Sequence, residues 1–404
     1  MPVDLHHPVR ATLDAVLDAT RPDTGGEVAS YIPELANVDP EHLGIALVST
    51  RGDVHDAGDS DVAFTIQSVS KPFVFALALD ALGVEEVTRH VGLEPSGEPF
   101  NAISLDAASG RPFNPMINAG AIVTTSLIAG DTADDKFAVI RSGLERFAGR
   151  DLLVDEDVFS SEAATGDRNR ALAYLTKSAG TLASGVDVAT TAYFRQCSLA
   201  VTARDLAIMA ATLATGGVNP VSGERVISED AARWTTAVMT SCGMYDESGS
   251  WMVHVGLPAK SGVGGGIVAV QPGQFGIGTF SPRLDARGNS VRGVAMLEAL
   301  SKRYGLHMLA NRGEPLSPIA SLSTSGAETI AMLRGEIYFA AAEEVLTRLT
   351  PLMSDDGCLV LDFSGVTRAG SAVKQLFTAV PVAAGVRPDG TARVVLRDPD
   401  GVLE

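Results

Sequence analysis

Ser68 and Lys71 are the residues whose types and spacing could carry covalent chemistry. They stand three positions apart in an S-x-x-K motif at 68–71, so on a helix that begins near Ser68 both side chains would share one face. A serine hydroxyl needs a base before it can attack a carbonyl carbon, and a desolvated lysine amine can be that base. The motif alone is a weak signal, because a serine at a helix start followed by an exposed lysine gives the same letters.

A second motif, Lys-Ser-Gly-Val-Gly-Gly-Gly at 260–266, stands just before a predicted strand. K-S-G is a variant of the K-T-G that accompanies S-x-x-K in penicillin-recognising serine enzymes. A backbone N–H at such a strand edge could complete an oxyanion hole. A dinucleotide-binding loop does not fit, because position 267 is Ile and a strand follows. A flexible hairpin fits the glycines alone.

Predicted helices and strands must position these two motifs. Hydrophobic spacing predicts helices at 8–21, 68–82, 119–128, 136–147, 168–179 and 203–214, and strands at 43–50, 62–66 and, punctuated by glycines, within 251–280. Strands therefore lie at both ends of this region, with helices between them. An α+β architecture, with one sheet made from both ends and packed on a helical middle, is the economical arrangement.

Several blocks in a fixed order resemble the serine-dependent glutaminases over residues 8–309. They are Tyr-Ile-Pro-Glu-Leu-Ala at 31–36, Gln-Ser-Val-Ser-Lys-Pro at 67–72, Asn-Pro-Met-Ile-Asn-Ala-Gly-Ala at 114–121, Ser-Glu at 161–162 with Gly-Asp-Arg-Asn-Arg at 166–170, Tyr-Phe-Arg-Gln-Cys-Ser at 193–198, Cys-Gly-Met-Tyr-Asp at 242–246, and the motif at 260–266. The resemblance implies a β-lactamase/penicillin-binding-like fold, with mixed helices around an antiparallel sheet. It also implies hydrolysis of L-glutamine to L-glutamate and ammonia through a seryl acyl-enzyme.

The resemblance also assigns the catalytic roles. Ser68 is expected to be the nucleophile and Lys71 its base, and the Tyr245 phenol is expected to bond the nucleophile and relay a proton. Tyr31 is expected to lie over the substrate and assist proton transfer. The backbone amides of Ser68 and Val263 would hold the oxyanion.

The same resemblance places substrate recognition on four further side chains. Asn118, Glu162, Asn169 and Tyr193 match the residues that hold the amino-acid end of glutamine, and Ser68, Tyr245 and Val263 complete the substrate set. A carboxylate suits the α-ammonium group, while amide and phenol donors suit the α-carboxylate. Without the resemblance, each would be given an ordinary role as a helix cap, a buried tyrosine or a solvated charge.

The composition changes after residue 309. A linker-like Asn-Arg-Gly-Glu-Pro-Leu-Ser-Pro at 311–318 precedes a β-β-α-β-α-β pattern. Leu-Arg-Gly-Glu-Ile at 333–337 and Leu-Val-Leu-Asp-Phe-Ser-Gly-Val at 359–366 resemble a STAS domain, a small α/β module. We therefore expect a glutaminase domain at 1–312, a linker at 313–320 and a STAS-like domain at 321–404 that binds a regulatory ligand or protein. Gly370-Ser371 stands where such domains often carry a phosphorylated Asp-Ser, so a kinase switch is not expected.

Charge and cysteine usage narrow the partners and the compartment. With 31 Lys+Arg against 49 Asp+Glu the net charge is −18, which disfavours nucleic acid and anionic membranes. No apolar run approaches a transmembrane length. The start lacks a secretory pattern, and the three cysteines are widely spaced, so a cytoplasmic protein is expected.

The resemblance implies a homo-oligomer, either a dimer or a tetramer. Acyl-enzyme chemistry with a lysine base needs no cofactor and no metal. Two other functions fit S-x-x-K and K-S-G: a penicillin-recognising serine hydrolase or esterase, and a non-catalytic amino-acid sensor that reports through the C-terminal module.

Overall fold

The computed structural model describes residues 7–97, 102–310, 316–352 and 357–404. The chain divides into two compact units, Met1–Ala310 and Asn311–Glu404. Within the predicted linker, residues 313–315 lie outside the described ranges and Ile319 already belongs to a strand. Among the described helices none is long and apolar enough to cross a membrane.

Eight strands and twelve helices are described in the first unit. The strands are β1 Gly44–Ser49, β2 Val54–Gly58, β3 Phe64–Thr65, β4 Leu153–Val154, β5 Leu199–Val201, β6 Ala259–Ser261, β7 Gly266–Gln271 and β8 Phe275–Phe280. The helices are α1 His7–Thr20, α2 Pro33–Ala36, α3 Ser70–His90, α4 Asn118–Leu127, α5 Ala133–Ala148, α6 Glu156–Thr165, α7 Asp167–Ser178, α8 Val186–Cys197, α9 Ala203–Ala214, α10 Glu229–Cys242, α11 Ser248–His254 and α12 Val291–Tyr304.

The main sheet of this unit has five antiparallel strands in the order β2-β1-β8-β7-β6. Pairing of β1 with β8 sets Gly44 opposite Phe280, which confirms the expected sheet built from the two ends of the region. Apolar residues on β7 alternate between two cores, so Val268 packs with α3 and α9 while Ile267 packs with α1 and α12. A sheet covered on both faces explains why β7 reads as an unbroken apolar run.

The helix α9 lies directly on the sheet because β8 carries glycine where the two elements meet. A Cβ atom placed on Gly278 would come within 2.1 Å of the Ala203 carbonyl oxygen. The start of α9 is fixed by a capping box, in which the Thr202 hydroxyl accepts from the Asp205 amide and the Asp205 carboxylate accepts from the Thr202 amide.

Several boundaries differ from the sequence prediction for identifiable reasons. The strand predicted at 62–66 is reduced to β3, which joins β5 and β4 in a separate three-stranded sheet. The partner of β1 is instead β2, whose polar Val-His-Asp-Ala-Gly sequence suits the exposed edge of a sheet and lacks an apolar pattern.

The predicted helices are found, and some extend further than expected. The helix predicted to end at 82 is interrupted there by a kink at Gly83, whose φ is +77°, and a second helical segment within α3 runs on to His90. Helices α2, α6, α8, α10 and α12 were not predicted, and Val253, assigned to a strand, lies in α11.

The second unit is a two-layer α/β module. It contains β9 Ile319–Ser325, β10 Glu328–Ile337, α13 Phe339–Leu349, β11 Cys358–Ala369, α14 Ser371–Ala384 and β12 Val394–Arg397, in the predicted order. The sheet order is β12-β11-β10-β9, with β9 antiparallel and the other pairs parallel. Phe363 and Phe377 meet edge-to-face at 5.1 Å in its own core. Ser371 begins α14.

We predict that Gly278→Ala lowers the free energy of unfolding by roughly 1–3 kcal/mol, because α9 must move away from the sheet to admit the methyl group. Urea denaturation measures the change. The matched control is Gly249→Ala in α11, where an added Cβ meets no atom within 4 Å. That variant should be unchanged or more stable by up to about 1 kcal/mol, and equal losses at both sites would contradict the packing argument.

Candidate active site

A cavity of about 310 Å³ in the first unit brings most of the predicted site residues together. Its lining includes Tyr31, Ser68, Asn118, Glu162, Asn169, Tyr193 and Val263. The remaining two, Lys71 and Tyr245, lie against these residues. Lys71 Nζ donates to Asn118 Oδ1 at 2.7 Å, and the Tyr245 hydroxyl is hydrogen-bonded to the Ser68 side chain. The structure therefore assembles every predicted site residue in one place, although residue 31 and residue 263 are far apart in the chain.

The nucleophile candidate Ser68 sits in a 3₁₀ turn, Gln67–Val69, that runs into α3. Gln67 before it has φ +47°, the left-handed region that side chains other than glycine rarely adopt. Such a residue costs about 1–3 kcal/mol and persists only where its surroundings hold it. The strain points to a turn whose shape is imposed by the fold around it.

A buried hydrogen-bond chain holds this turn. The Ser70 hydroxyl donates to the Gln67 carbonyl oxygen at 2.7 Å, Gln196 Nε2 donates to Ser70 Oγ at 2.9 Å, and the Thr125 hydroxyl donates to Gln196 Oε1 at 3.0 Å. Ser70, Gln196 and Thr125 are all fully buried. The chain ties α4 and α8 to the start of α3, so three helices fix the orientation of Ser68.

Lys71 lies in the first turn of α3 with only 1% of its surface exposed. Burial removes water from the ammonium group and lowers the pKa of Lys71 from 10.5 to about 8. A substantial fraction of the amine is therefore neutral slightly above physiological pH. A neutral amine one helical turn from Ser68 is able to accept the serine proton.

Tyr245 is the second residue with strained backbone, at φ +55°. Its hydroxyl donates to the Ser261 carbonyl oxygen at 3.1 Å. Burial raises the pKa of the phenol, against the opposing effect of the hydrogen bond with Ser68. The phenol therefore keeps its proton at neutral pH, which suits a group that relays a proton.

Glu162 supplies a carboxylate to the lining of the cavity. The Tyr31 hydroxyl donates to Glu162 Oε1 at 2.8 Å. Burial raises the pKa of Glu162, while hydrogen bonds from Tyr31 and Gln67 act against that rise. The Tyr31 side chain is itself 50% exposed, so it stands at the mouth of the cavity.

Amide and phenol groups surround the rest of the cavity. Asn118 Nδ2 donates to Asn169 Oδ1 at 3.0 Å, and the Tyr193 hydroxyl donates to Asn118 Oδ1 at 3.5 Å. Because Asn118 also accepts from Lys71, it links the base candidate to the polar wall.

The glycines of 260–266 let the strand edge approach Ser68 closely. A Cβ atom on Gly262 would lie 2.9 Å from Val69 Cγ2, and one on Gly264 would lie 2.5 Å from the Thr65 carbonyl oxygen. Only glycine permits this contact between the turn after β6 and the segment that carries the nucleophile. Val263 lies between these two glycines and lines the cavity.

Five lining residues were not assigned from sequence: Gln67, Thr165, Gly166, Arg168 and Cys197. All but Thr165 lie within a recognised block, and Gln67 and Arg168 directly precede an assigned residue, so adjacency was the available signal. Burial raises the pKa of Cys197 to about 12. Its thiol stays protonated, which fits a buried packing residue and not a nucleophile.

The fold and the cavity define a β-lactamase-like α+β protein. The Glutaminase family model matches residues 26–309, and the chain belongs to the glutaminase family. The resemblance inferred from the ordered blocks is thus confirmed at the level of the family, and so is the expected α+β fold with an antiparallel sheet.

Two relatives and one solved structure illustrate the similarity. Glutaminase 1 of Bradyrhizobium diazoefficiens is 55% identical over 307 residues, which cover 76% of this chain and 50% of that protein. The glutaminase of Corynebacterium efficiens is 42% identical over 400 residues, which cover 98% of this chain and 93% of that protein. The protein in the crystal structure of Mglu in its glutamate form is 39% identical in sequence, and the two structures superpose with a TM-score of 0.89. The match covers 98% of this chain and 99% of that chain. The chain thus spans half the length of the Bradyrhizobium relative and nearly all of the other two.

We predict that Lys71→Met raises the free energy of unfolding at pH 7 by about 1–3 kcal/mol, because it removes the cost of burying the amine. The pKa of the folded state, about 8, lies below the unfolded value of 10.5. The gain is therefore complete below pH 8 and disappears as the pH rises towards 10.5. Urea denaturation at several pH values measures it.

The matched control is Lys136→Met, at a second buried lysine. Lys136 Nζ donates to the Ser126 and Ile128 carbonyl oxygens at the end of α4, so its loss leaves two acceptors without this donor. This variant should be destabilised by about 1–3 kcal/mol. Destabilisation of Lys71→Met to the same extent would show that the hydrogen bond from Lys71 to Asn118 outweighs the cost of burying the amine.

Proposed function

We propose that the protein is an L-glutamine amidohydrolase that releases ammonia and L-glutamate through an acyl-enzyme on Ser68. The observation that carries the proposal is the arrangement of one cavity. One cavity brings together a serine bonded to a protonated tyrosine, a carboxylate and amide groups, and a buried, partly neutral lysine lies one helical turn from the serine. The family of the chain supports the same reaction.

In the proposed acylation, the Lys71 amine takes the hydroxyl proton of Ser68 while Oγ bonds to the side-chain amide carbon of glutamine. The oxyanion that forms is held by the backbone N–H groups of Ser68 and Val263. Tyr245 donates its proton to the amide nitrogen as the C–N bond breaks, and the Lys71 ammonium restores that proton to the phenol. Ammonia leaves, and Ser68 carries a γ-glutamyl ester.

Deacylation uses the same groups in the reverse order. Water loses a proton through Tyr245 and Lys71 and attacks the ester carbon, and Ser68 recovers its proton as glutamate leaves. No step requires a cofactor or a metal.

The polar end of the cavity would select an amino acid as substrate. The Glu162 carboxylate pairs with the α-ammonium group, and the amides of Asn118 and Asn169 with the Tyr193 phenol receive the α-carboxylate. Tyr31 covers the mouth and, through its bond to Glu162, closes the ammonium pocket.

For the remainder of the protein we propose a STAS-like module at 321–404 that regulates the enzyme by binding a ligand or protein. The parallel arrangement of β10, β11 and β12 and the separate core support an independent α/β module. We also propose a cytoplasmic homo-oligomer, a dimer or tetramer, on the basis of the family resemblance and the sparse, widely spaced cysteines.

We predict that kcat/KM for L-glutamine rises with pH and levels off above about pH 8, because only the neutral form of Lys71 accepts the Ser68 proton and its pKa is about 8. Initial rates of ammonia release between pH 6 and 10 measure the profile. A rate that is flat through this window, or falls with pH, would exclude Lys71 as the base.

The decisive experiment measures ammonia release from L-glutamine by the purified protein and by Ser68→Ala, with L-asparagine in parallel. We expect release from glutamine and a loss of at least about 10³-fold in the variant, with its far-ultraviolet circular dichroism unchanged. Turnover by folded Ser68→Ala would overturn the nucleophile. Acylation by a β-lactam without ammonia release would favour the penicillin-type hydrolase, and glutamine binding without turnover would favour the sensor.

A further inference from the structure

Lys260 is a buried amine that the reaction described above does not use. It is fully buried in β6. Its Nζ atom donates to the Ser261 carbonyl oxygen at 2.5 Å and lies 4.1 Å from the centre of the Tyr245 ring. The Tyr245 hydroxyl donates to the same Ser261 oxygen at 3.1 Å, so an amine and a phenol converge on one carbonyl group.

The Ser261 carbonyl group lies next to the segment that approaches Ser68. Ser261 directly precedes Gly262 and Val263, the segment that approaches the nucleophile turn. Tyr245 reaches it from a strained backbone at φ +55°, and a strained residue keeps its position only if its neighbours restrain it. The amine restrains both partners at once, since it covers the ring face and bonds the carbonyl oxygen.

We propose that Lys260 is a positioning residue that holds the Tyr245 phenol and the 261–263 segment in register with Ser68. This inference deepens the proposed function and rests on it. Lys260 is not among the residues that line the described substrate cavity, so its influence passes through Tyr245 and Ser261 and not through contact with substrate.

The charge state of Lys260 fits this role. Burial, together with repulsion from Lys71, lowers the pKa of Lys260. The amine donates to the Ser261 carbonyl oxygen in either protonation state. The contact that holds the carbonyl group therefore does not depend on the charge of Lys260.

The test compares Lys260→Met, Tyr245→Phe and the double variant in glutamine hydrolysis. We expect Lys260→Met to lower kcat by about 10–100-fold, the usual cost of misplacing a group by an ångström, with KM changed by less than about twofold. In the double variant, Lys260→Met should cost much less, because the hydroxyl that it positions is already absent. Lys260→Gln, which retains a donor, should recover part of the loss.

Three results would overturn the proposal. They are additive effects of the two substitutions, a rise in KM with kcat unchanged, or a crystal structure of Lys260→Met in which the Tyr245 ring and the Ser261 carbonyl group have not moved. The crystallographic result would overturn the proposal whatever activity the variant shows. If Lys260→Met does not fold, the crystal structure of Lys260→Gln is determined in its place. Absence of ammonia release from the wild-type protein would instead overturn the proposed function, so the two failures are distinguishable.

Discussion

Burial of the Lys71 amine is the constraint on which the rest of the site depends. A pKa lowered from 10.5 to about 8 corresponds to about 3 kcal/mol of folding free energy given up to keep the amine out of water. Core residues on α3, including Phe73 and Phe75, are fully buried next to it, and apolar burial of that extent offsets the cost. Lys71 Nζ donates to the neutral amide oxygen of Asn118, which does not restore the usual basicity of the amine as a carboxylate would.

Backbone strain is the second free-energy cost of folding, and it also falls at the candidate active site. Gln67 and Tyr245 are the non-glycine residues with left-handed backbone in the described part of the chain, and they flank the nucleophile from two different segments. Each is held by hydrogen bonds that converge on a backbone carbonyl group: Ser70 on Gln67, and Tyr245 with Lys260 on Ser261. Fixing the Gln67 carbonyl group orients the Ser68 N–H of the same peptide, which the proposed oxyanion would need, and fixing the Ser261 carbonyl group restrains the peptide that precedes the one carrying the Val263 N–H.

Local sequence signals predicted this fold where one physical effect dominated. The apolar spacing placed the start of α9 correctly, and the capping box at Thr202 fixes that start. The sheet formed from both ends of the region followed from the predicted positions of its strands. The edge strand β2 was missed because an exposed edge carries polar residues. Ordered motifs indicated every lining residue of the candidate site except Gln67, Thr165, Gly166, Arg168 and Cys197. The left-handed φ of Gln67 and the inward course of Lys260 depend on tertiary packing, which no local pattern encodes.

The pairing of β1 with β8 has a consequence for synthesis of the chain. Ser68 and Lys71 leave the ribosome roughly two hundred residues before the strand at 275–280 that completes the sheet. Until that strand emerges, the segment at 260–266 cannot pack against the turn that carries Ser68. The amine of Lys71 therefore stays hydrated and fully basic. A nascent or truncated chain therefore lacks the assembled site, and the proposed chemistry on Ser68 can begin only when the last strand of this sheet has docked.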